Sequence, residues 1–338
     1  MVPALAVADA LRAEGAEVVF VGGERAEAEA VPAAGYRLHQ LRVEGLSRRN
    51  PLRAARALAR AASATRRARR LLRELGADVV MGGGGYVAGP VGLAARLERI
   101  PLVLTEADSH LGLANRMLAP FARRVCLAFP IPGRTGDKFR VTGRPIPPPA
   151  TDRAAARERF DIPRDEAMVM VFGGSQGARS INRAAVKAFA EPHFFVLHVA
   201  GTRDFDSLSA PGEHYELRPY VEEFGEALLA SDLVVSRAGG SIFEIAAHGR
   251  PAVLIPYPHA TADHQTTNAE WMASAGAAVV VADDELMPMH LRETVYALLD
   301  DPERLAEMRA ASESLARPAA ARAVAAQVLA AAGGSPAP

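Results

Sequence analysis

Short aliphatic runs bounded by Gly, Pro or Asp alternate along the chain with stretches of helical period. Val18 to Val21, Val79 to Met81, Leu102 to Leu104, Met168 to Phe172, Phe195 to Val199, Leu233 to Val235 and Ala252 to Ile255 are the clearest. Their residues are apolar at successive positions, His198 aside, which marks strands buried on both faces in parallel sheets and joined by covering helices. The pattern predicts an α/β fold, in two copies. Pro3 to Arg12 reads as a helix closed at Gly15, so the chain opens on a helix where an α/β domain normally begins with a buried strand. Pro145 to Pro149 follows the strand-like Phe139 to Thr142, and proline neither joins a ladder nor bends freely. That places a boundary between one domain at 1–145 and another at 146–316. Beyond Pro302 two Ala- and Arg-rich helical segments break at Pro318, so 317–338 reads as a terminal helix and a frayed tail.

Length and composition narrow this picture. The 338 residues are enough for two cores, and 49% hydrophobic with 23% charged residues excludes disordered, collagenous and disulfide-rich classes. Basic and acidic residues balance at 39 each, so no general nucleic-acid binder is expected. Cys126 is the single cysteine, which excludes an intrachain disulfide and fits a reducing compartment. No apolar run reaches the roughly 18 residues needed to span a bilayer, and no signal-peptide layout opens the chain. Lysine occurs only at Lys138 and Lys187 against many arginines, a bias of codon usage rather than of chemistry.

Candidate chemistry clusters at strand exits. Gly173 to Arg179, of sequence Gly-Gly-Ser-Gln-Gly-Ala-Arg, joins an apolar strand to a helical segment. Glycines let backbone amides approach a ligand and a helix N-terminus favours an anion, so this loop suits phosphate, although Arg179 stands where a P-loop has its lysine. A loop of the same kind, Ser236 to Ser241, follows Leu233 to Val235, with Glu244 one turn into the next helix as a candidate for ribose hydroxyls. Two such helix starts can grip the two phosphates of a nucleoside diphosphate. The segment His259 to Asn268 brings amides and imidazoles suited to sugar hydroxyls; a metal site from His259, Asp263 and His264 matches no standard ligand spacing. Gly82 to Pro90 and Thr105 to His110 are further strand-exit loops, placed to line the opposite wall of a cleft between domains.

Eleven arginines and one acidic residue, Glu44, lie between Arg42 and Arg73, interspersed with leucines. A basic helix with leucines on one side is suited to an anionic lipid surface, at about 1 kcal/mol per arginine near the membrane; a solvated face is the plain alternative. No aromatic residue interleaves the arginines, so stacking on nucleic-acid bases is unsupported.

Together these stretches resemble the MurG family. Pro3-Ala-Leu-Ala-Val-Ala, Gly84-Gly-Tyr-Val-Ala-Gly-Pro, Gly112-Leu-Ala-Asn115-Arg116, Phe172-Gly-Gly-Ser-Gln-Gly-Ala-Arg179, Arg237-Ala-Gly-Gly and Pro256 to Gln265 occur in the family's order across nearly the whole chain. The resemblance implies a GT-B fold, with two Rossmann-like domains, parallel sheets and an interdomain cleft. It implies an inverting transfer of N-acetylglucosamine from UDP-GlcNAc to lipid I, giving lipid II for peptidoglycan synthesis and through it cell shape and division. By position, Ser175, Gln176 and Gly177 contact the donor, Gly239, Gly240 and Ser241 the diphosphate, Glu244 the ribose, Val221 the uracil, and His264 and Gln265 the GlcNAc hydroxyls. Gly84, Gly85, Tyr86 and Asn115 fall on the acceptor side, and Arg48, Arg49, Arg53 and Arg56 toward an anionic inner-leaflet surface. The implied location is peripheral, on the cytoplasmic face of the cell membrane, with no metal or other cofactor and no nucleic acid.

Departures from the family pattern bear on the chemistry. The family opens on a strand and a Gly-x-Gly-Gly-His loop ahead of the Pro-Ala-Leu-Ala helix; a start codon assigned too far downstream is favoured over a true truncation. The family's loop histidine, a proposed catalytic group, is absent from the sequence and Asp108 replaces an asparagine, so Asp108, Glu106 and His110 are the candidates for the general base. Pro147 stands where a donor-contacting arginine is common, and Arg144 is the substitute candidate for a phosphate contact. The stretch Arg237 to Glu244 is one residue shorter than usual, which shifts the contacts of Ser241 and Ile242. Alternative readings of the same architecture are a glycosyltransferase acting on another lipid or natural product, a non-catalytic nucleotide-sugar-binding paralogue, and a UDP-GlcNAc epimerase.

Overall fold

A computed structural model describes residues 1–24, 26–43, 51–163, 165–174, 176–260 and 263–333, with backbone alone at 26 and 51–59. The chain divides into two compact units, Met1–Pro147 with Arg317–Pro338 and Pro148–Ala316. The division falls two residues beyond the 145/146 boundary read from the prolines, and the terminal helix belongs to the first unit rather than standing apart.

The first unit runs α1 (Val2–Ala13), β1 (Val19–Gly22), α2 (Ala26–Ala33), β2 (Arg37–Gln40), α3 (Pro51–Leu75), β3 (Val80–Gly82), α4 (Gly85–Leu97), β4 (Leu102–Glu106), α5 (Leu113–Leu118), a 3-10 turn at Ala119–Phe121, β5 (Arg124–Leu127) and β6 (Phe139–Val141). Its strands form two parallel sheets, β1-β2 and β3-β4-β5-β6. No ladder joins β1 to β3 among the described residues, so packing unites the sheets. Val79 and Met81 share a core with Val18, Val7 and Leu11 on one face, while Val80 shares another with Val21 and Val91 on the other. That alternation follows from the two-residue period of a strand.

The second unit continues with α6 (Arg153–Arg159), β7 (Met168–Phe172), α7 (Arg179–Ala188), β8 (Phe195–Val199), β9 (Tyr215–Arg218), α8 (Phe224–Ala230), β10 (Leu233–Ser236), α9 (Ile242–Ala247), β11 (Ala252–Leu254), α10 (His264–Ser274), β12 (Ala278–Val280), α11 (Pro288–Leu299) and α12 (Pro302–Leu315). The chain then returns to the first unit as α13 (Ala320–Ala332), whose Val324 and Val328 pack with Val7 and Leu11 of α1. The six strands of the second unit are parallel, in the order β12-β11-β10-β7-β8-β9. From β7 the chain winds outward to β9, returns to the other side of β7, and winds outward again to β12. The reversal between β7 and β10 is a topological switch point, outside whose carboxyl ends open α/β sheets bind ligands. All five β7 residues are buried, as their continuous apolar run predicts. At the opposite end of the sheet, Asp232 accepts from the Met168 amide at 3.0 Å and from Arg153 at 2.6 Å, pinning the starts of β7 and β10.

Candidate active site

The first glycine loop leaves β7 at the switch point and its geometry admits only glycine at key positions. Gly177 has φ 72°, and a Cβ there would stand 2.0 Å from the Ala200 carbonyl oxygen at the exit of β8. Gly174, at φ 93°, adjoins open space instead. The loop is therefore pressed against the sheet on one side and open on the other. It feeds α7, ten residues long with no side-chain cap, so its first-turn amides suit an anion. Ser175 lies outside the described residues, whereas Gln176 and Gly177 sit in the loop as expected. Arg179 pairs with Asp204 at 3.1 Å.

A buried polar chain lies under this loop. Asn182 of α7 donates Nδ2 to the Ala200 carbonyl at 2.9 Å, the same oxygen against which Gly177 packs. Its Oδ1 is 3.1 Å from His198 Nε2, and His198 Nδ1 is 2.7 Å from the Tyr215 hydroxyl. Since Asn182 Oδ1 only accepts, Nε2 carries the proton and Tyr215 donates to Nδ1. Burial holds His198 neutral, its pKa lowered to about 4, and pushes the Tyr215 phenol far above its usual range. Asn182 and His198 were not legible as site residues; a polar pair on buried faces of α7 and β8 was the available signal.

The second loop leaves β10, the strand beside β7. Gly239 adjoins open space, and the amides of Gly239, Gly240 and Ser241 enter no backbone–backbone hydrogen bond among the described residues. The helix that follows, α9, has only six residues, so a helix dipole adds little there and the loop's own amides are what it offers an anion. Glu244 is half-buried in that helix. Arg237 is buried and turned toward Asp283 and Ser180 rather than outward.

Beyond β11, Gln265 accepts from the Tyr257 amide at 3.0 Å through Oε1. His264 opens α10, half-buried, and Asp263 precedes it at φ 53° with its carboxylate accepting from Thr266. Asn268, the last residue of the segment read as suited to sugar hydroxyls, is 5% exposed and donates to the Ala238 carbonyl of the second loop at 2.9 Å. Its Oδ1 has no hydrogen-bond partner among the described residues. Val221 is buried just after β9. No group of three His, Cys, Asp or Glu that could hold a metal ion occurs among the described residues.

In the first unit Glu106 ends β4 with its carboxylate fully engaged. Oε1 accepts from the amides of Ala107 and Asp108 at 3.0 and 3.2 Å, and Oε2 from Gly112 N and Asn115 Nδ2 at 2.8 and 2.9 Å. Four bonds use the acceptor capacity of a carboxylate, so Glu106 organises the turn that carries Asp108 and His110 rather than standing ready as a proton acceptor. Asp108 is half-buried and His110 exposed. Asn115 is buried next to Gly84, Gly84 and Gly85 take φ 81° and 78°, and Tyr86 is 69% exposed. Arg144 belongs to this unit, where burial first and then its charge lower the pKa of the Met1 ammonium. Buried Cys126 is inert, its thiol pushed up to about 12.

The arginine-rich stretch is described only in part. Arg48 and Arg49 lie outside the described residues, and Arg53 and Arg56 lie where only the backbone of α3 is described. Where side chains are described, the apolar stripe Ala64, Ala68 and Leu72 is buried, and Ala68 and Leu72 pack into the core with Val91 and Leu102. Spacing of four residues turns that stripe inward over the C-terminal half of α3, whereas Leu46, Leu52 and Leu58, the leucines at the start of the arginine-rich stretch, lie outside the described side chains. Large apolar side chains are exposed elsewhere: Leu93 and Leu97 on α4, Leu113 and Met117 on α5, and Phe121.

Comparison with known proteins agrees with this architecture. Residues 1–127 match the glycosyltransferase family 28 N-terminal domain, and 168–325 the family 28 C-terminal domain. A protein of Rubrobacter xylanophilus named UDP-N-acetylglucosamine–N-acetylmuramyl-(pentapeptide) pyrophosphoryl-undecaprenol N-acetylglucosamine transferase is 41% identical over 96% of this chain and 98% of its own. One of the same name from Moorella thermoacetica is 40% identical over 95% and 93%. The crystal structure of Acinetobacter baumannii MurG superposes with a TM-score of 0.79 at 29% identity, covering 97% of this chain and 95% of that one. With two α/β units of parallel sheet and such identity along nearly its whole length, the chain belongs to glycosyltransferase family 28, in the MurG family.

Proposed function

We propose that the chain transfers N-acetylglucosamine from UDP-GlcNAc to lipid I, forming lipid II for peptidoglycan synthesis, with inversion at the anomeric carbon. The observation that carries this reading is the placement of two glycine-lined, amide-rich loops side by side at the switch point of one six-stranded sheet. Amides of the first loop, around Ser175, Gln176 and Gly177, and of the second, at Gly239, Gly240 and Ser241, hold the diphosphate. Glu244 accepts from the ribose, and the backbone at Val221 meets uracil. His264 and Gln265 meet the GlcNAc hydroxyls, and Asn268 Oδ1, buried without a donor among the described residues, accepts from one of them. The C4 hydroxyl of the muramoyl sugar attacks C1 of GlcNAc as the bond from C1 to the phosphate oxygen breaks. The hydroxyl proton passes to Asp108, held in place by Glu106, and UDP leaves with its charge against preorganised amides.

The acceptor is a lipid, and the first unit offers a surface for one. Leu93, Leu97, Met117 and Phe121 form an exposed apolar group where α4 packs on α5 through Gly92 and Leu118, and Arg96 lies 5.6 Å from the Phe121 ring centroid. Apolar side chains beside a cation suit peripheral attachment to an anionic leaflet. No helix among the described residues is long and apolar enough to cross a membrane.

Radiolabelled UDP-GlcNAc with lipid I, with a diacylglycerol or aglycone acceptor, and with no acceptor tests the assignment. Label is expected in lipid II alone, and Glu244→Ala is expected to raise the donor KM about tenfold, the loss of one to two charge-assisted hydrogen bonds, leaving the acceptor KM unchanged. Label in another acceptor, epimerised nucleotide without acceptor, or UDP binding without turnover overturns it.

A further inference from the structure

The guanidinium of Arg237 lies between the two glycine loops and contacts neither open face. Nη2 donates to the Ser180 hydroxyl at 2.7 Å, in the first turn of α7 just past the first loop. Nη1 pairs with Asp283 Oδ1 at 2.6 Å, in the segment after β12, and donates to the Ile255 and Pro256 carbonyls at 3.2 Å each, at the exit of β11. Ser180 closes the triangle by donating to the same Asp283 oxygen at 2.8 Å. The group is 9% exposed and lies 5.4 Å from the Tyr257 ring centroid. One planar cation thus ties together the exits of β7, β10, β11 and β12, the strand ends that carry the proposed donor site. Its donors are directed into the protein, so its charge is not presented to a phosphate.

We infer that Arg237, with Ser180 and Asp283, is a positioning clamp that sets the spacing of the two glycine loops for a nucleoside diphosphate. Glycine loops are soft, and amides grip two linked phosphates only if both loops are held in register before the ligand arrives. A planar fork reaching acceptors on different strands does this; a lysine carries the charge as a point and lacks the fork. The inference rests on the donor site proposed above, and its signature is selective: a diphosphate spans both loops, whereas a bare nucleoside does not need them.

The test measures UDP and uridine binding by calorimetry to the full chain and to Arg237→Lys, Ser180→Ala and the double variant. Hydrogen exchange is followed in peptides covering 173–180 and 236–242. Arg237→Lys is expected to weaken UDP at least tenfold while uridine changes less than twofold, and exchange rises in both loops. Ser180→Ala gives the same pattern more weakly, and adds little once Arg237 is already lysine. Because Ser180→Ala removes only a hydroxyl, it carries the comparison if the lysine variant fails to fold. Equal loss of UDP and uridine, unchanged UDP affinity, or faster exchange in the second loop alone overturns the clamp. If the wild-type chain binds neither ligand, the donor reading falls, and exchange in both loops or in one still decides whether the triad couples them.

Discussion

The two units present strand-exit loops in different ways. In the second, a single sheet of six strands carries both glycine loops, and buried polar side chains brace them from beneath: Asn182 and His198 under the first, Arg237 and Asn268 at the second. In the first, strands are divided between two sheets, one carboxylate organises the turn after β4, and large apolar side chains face outward on α4 and α5. A charged, invariant ligand such as a nucleoside diphosphate rewards rigid amides, whereas a lipid-borne acceptor rewards an apolar face that needs no single geometry. Rigidity and surface chemistry are thus concentrated in different halves of the chain.

Glycine substitutions separate the two most sharply. Gly177→Val places a branched side chain where even a Cβ would stand 2.0 Å from the Ala200 carbonyl, at φ 72°. The loop must leave the sheet, and UDP affinity measured by calorimetry is expected to fall by 100-fold or more, about 2.7 kcal/mol. Gly174→Ala, with open space beside it, isolates the cost of positive φ at roughly 1 kcal/mol. Gly89→Ala in α4 meets nothing within 4 Å and is expected to raise stability by about 0.4–1 kcal/mol. A loss at Gly89 as large as that at Gly177 would mean that the close approach of the first glycine loop to the Ala200 carbonyl is not what sets the cost.

The apolar face of the first unit gives the next largest effect. Leu97→Glu and Phe121→Glu each replace an exposed apolar side chain by a charge that anionic lipid repels. Each is expected to lower partition onto phosphatidylglycerol-containing vesicles about tenfold, near 1.4 kcal/mol, in sedimentation assays, with UDP affinity unchanged. Retained vesicle binding in both variants would move the lipid contact away from α4 and α5.

Much of the second unit was legible because its signals are local. Met168 to Phe172 and Phe195 to Val199 are strands to the residue, since central parallel strands are apolar on both faces, with His198 the one polar position in the two. Edge strand β2, Arg37-Leu38-His39-Gln40, has polar ends and half-exposed centres, so nothing in its pattern marks it. The glycine loops could be read, because positive φ restricts residue choice, but not the direction of Arg237. Whether an arginine turns to a ligand or to Asp283, which lies 46 positions away, is decided by tertiary placement. The same holds for α3: its arginines are visible in the sequence, but which side of the helix meets the core depends on where Ala68 and Leu72 dock. Glu106 read as a candidate base because a carboxylate at a strand exit suits that role; four donors converging on it come from residues up to nine positions ahead.

The smallest effect probes the buried bracing itself and appears in stability rather than binding. His198 has its pKa lowered from 6.5 to about 4 by burial, so between those values the unfolded chain holds a proton that the folded one excludes. Stability therefore rises with pH through that window: the contribution is fully present above 6.5 and is lost as pH falls toward 4. The slope from one such group is at most about 1.4 kcal/mol per pH unit, or roughly 2–4 °C in melting temperature. Buried His248 is shifted in the same direction, so the wild-type profile contains both, and His198→Asn isolates one. That variant is expected to melt lower at pH 7, because Tyr215 and Asn182 lose a partner, yet to lose less than the wild type between pH 6.5 and 4. Parallel profiles would show that His198 takes up its proton without leaving the fold, and that the support beneath the first glycine loop is softer than that of a rigid half.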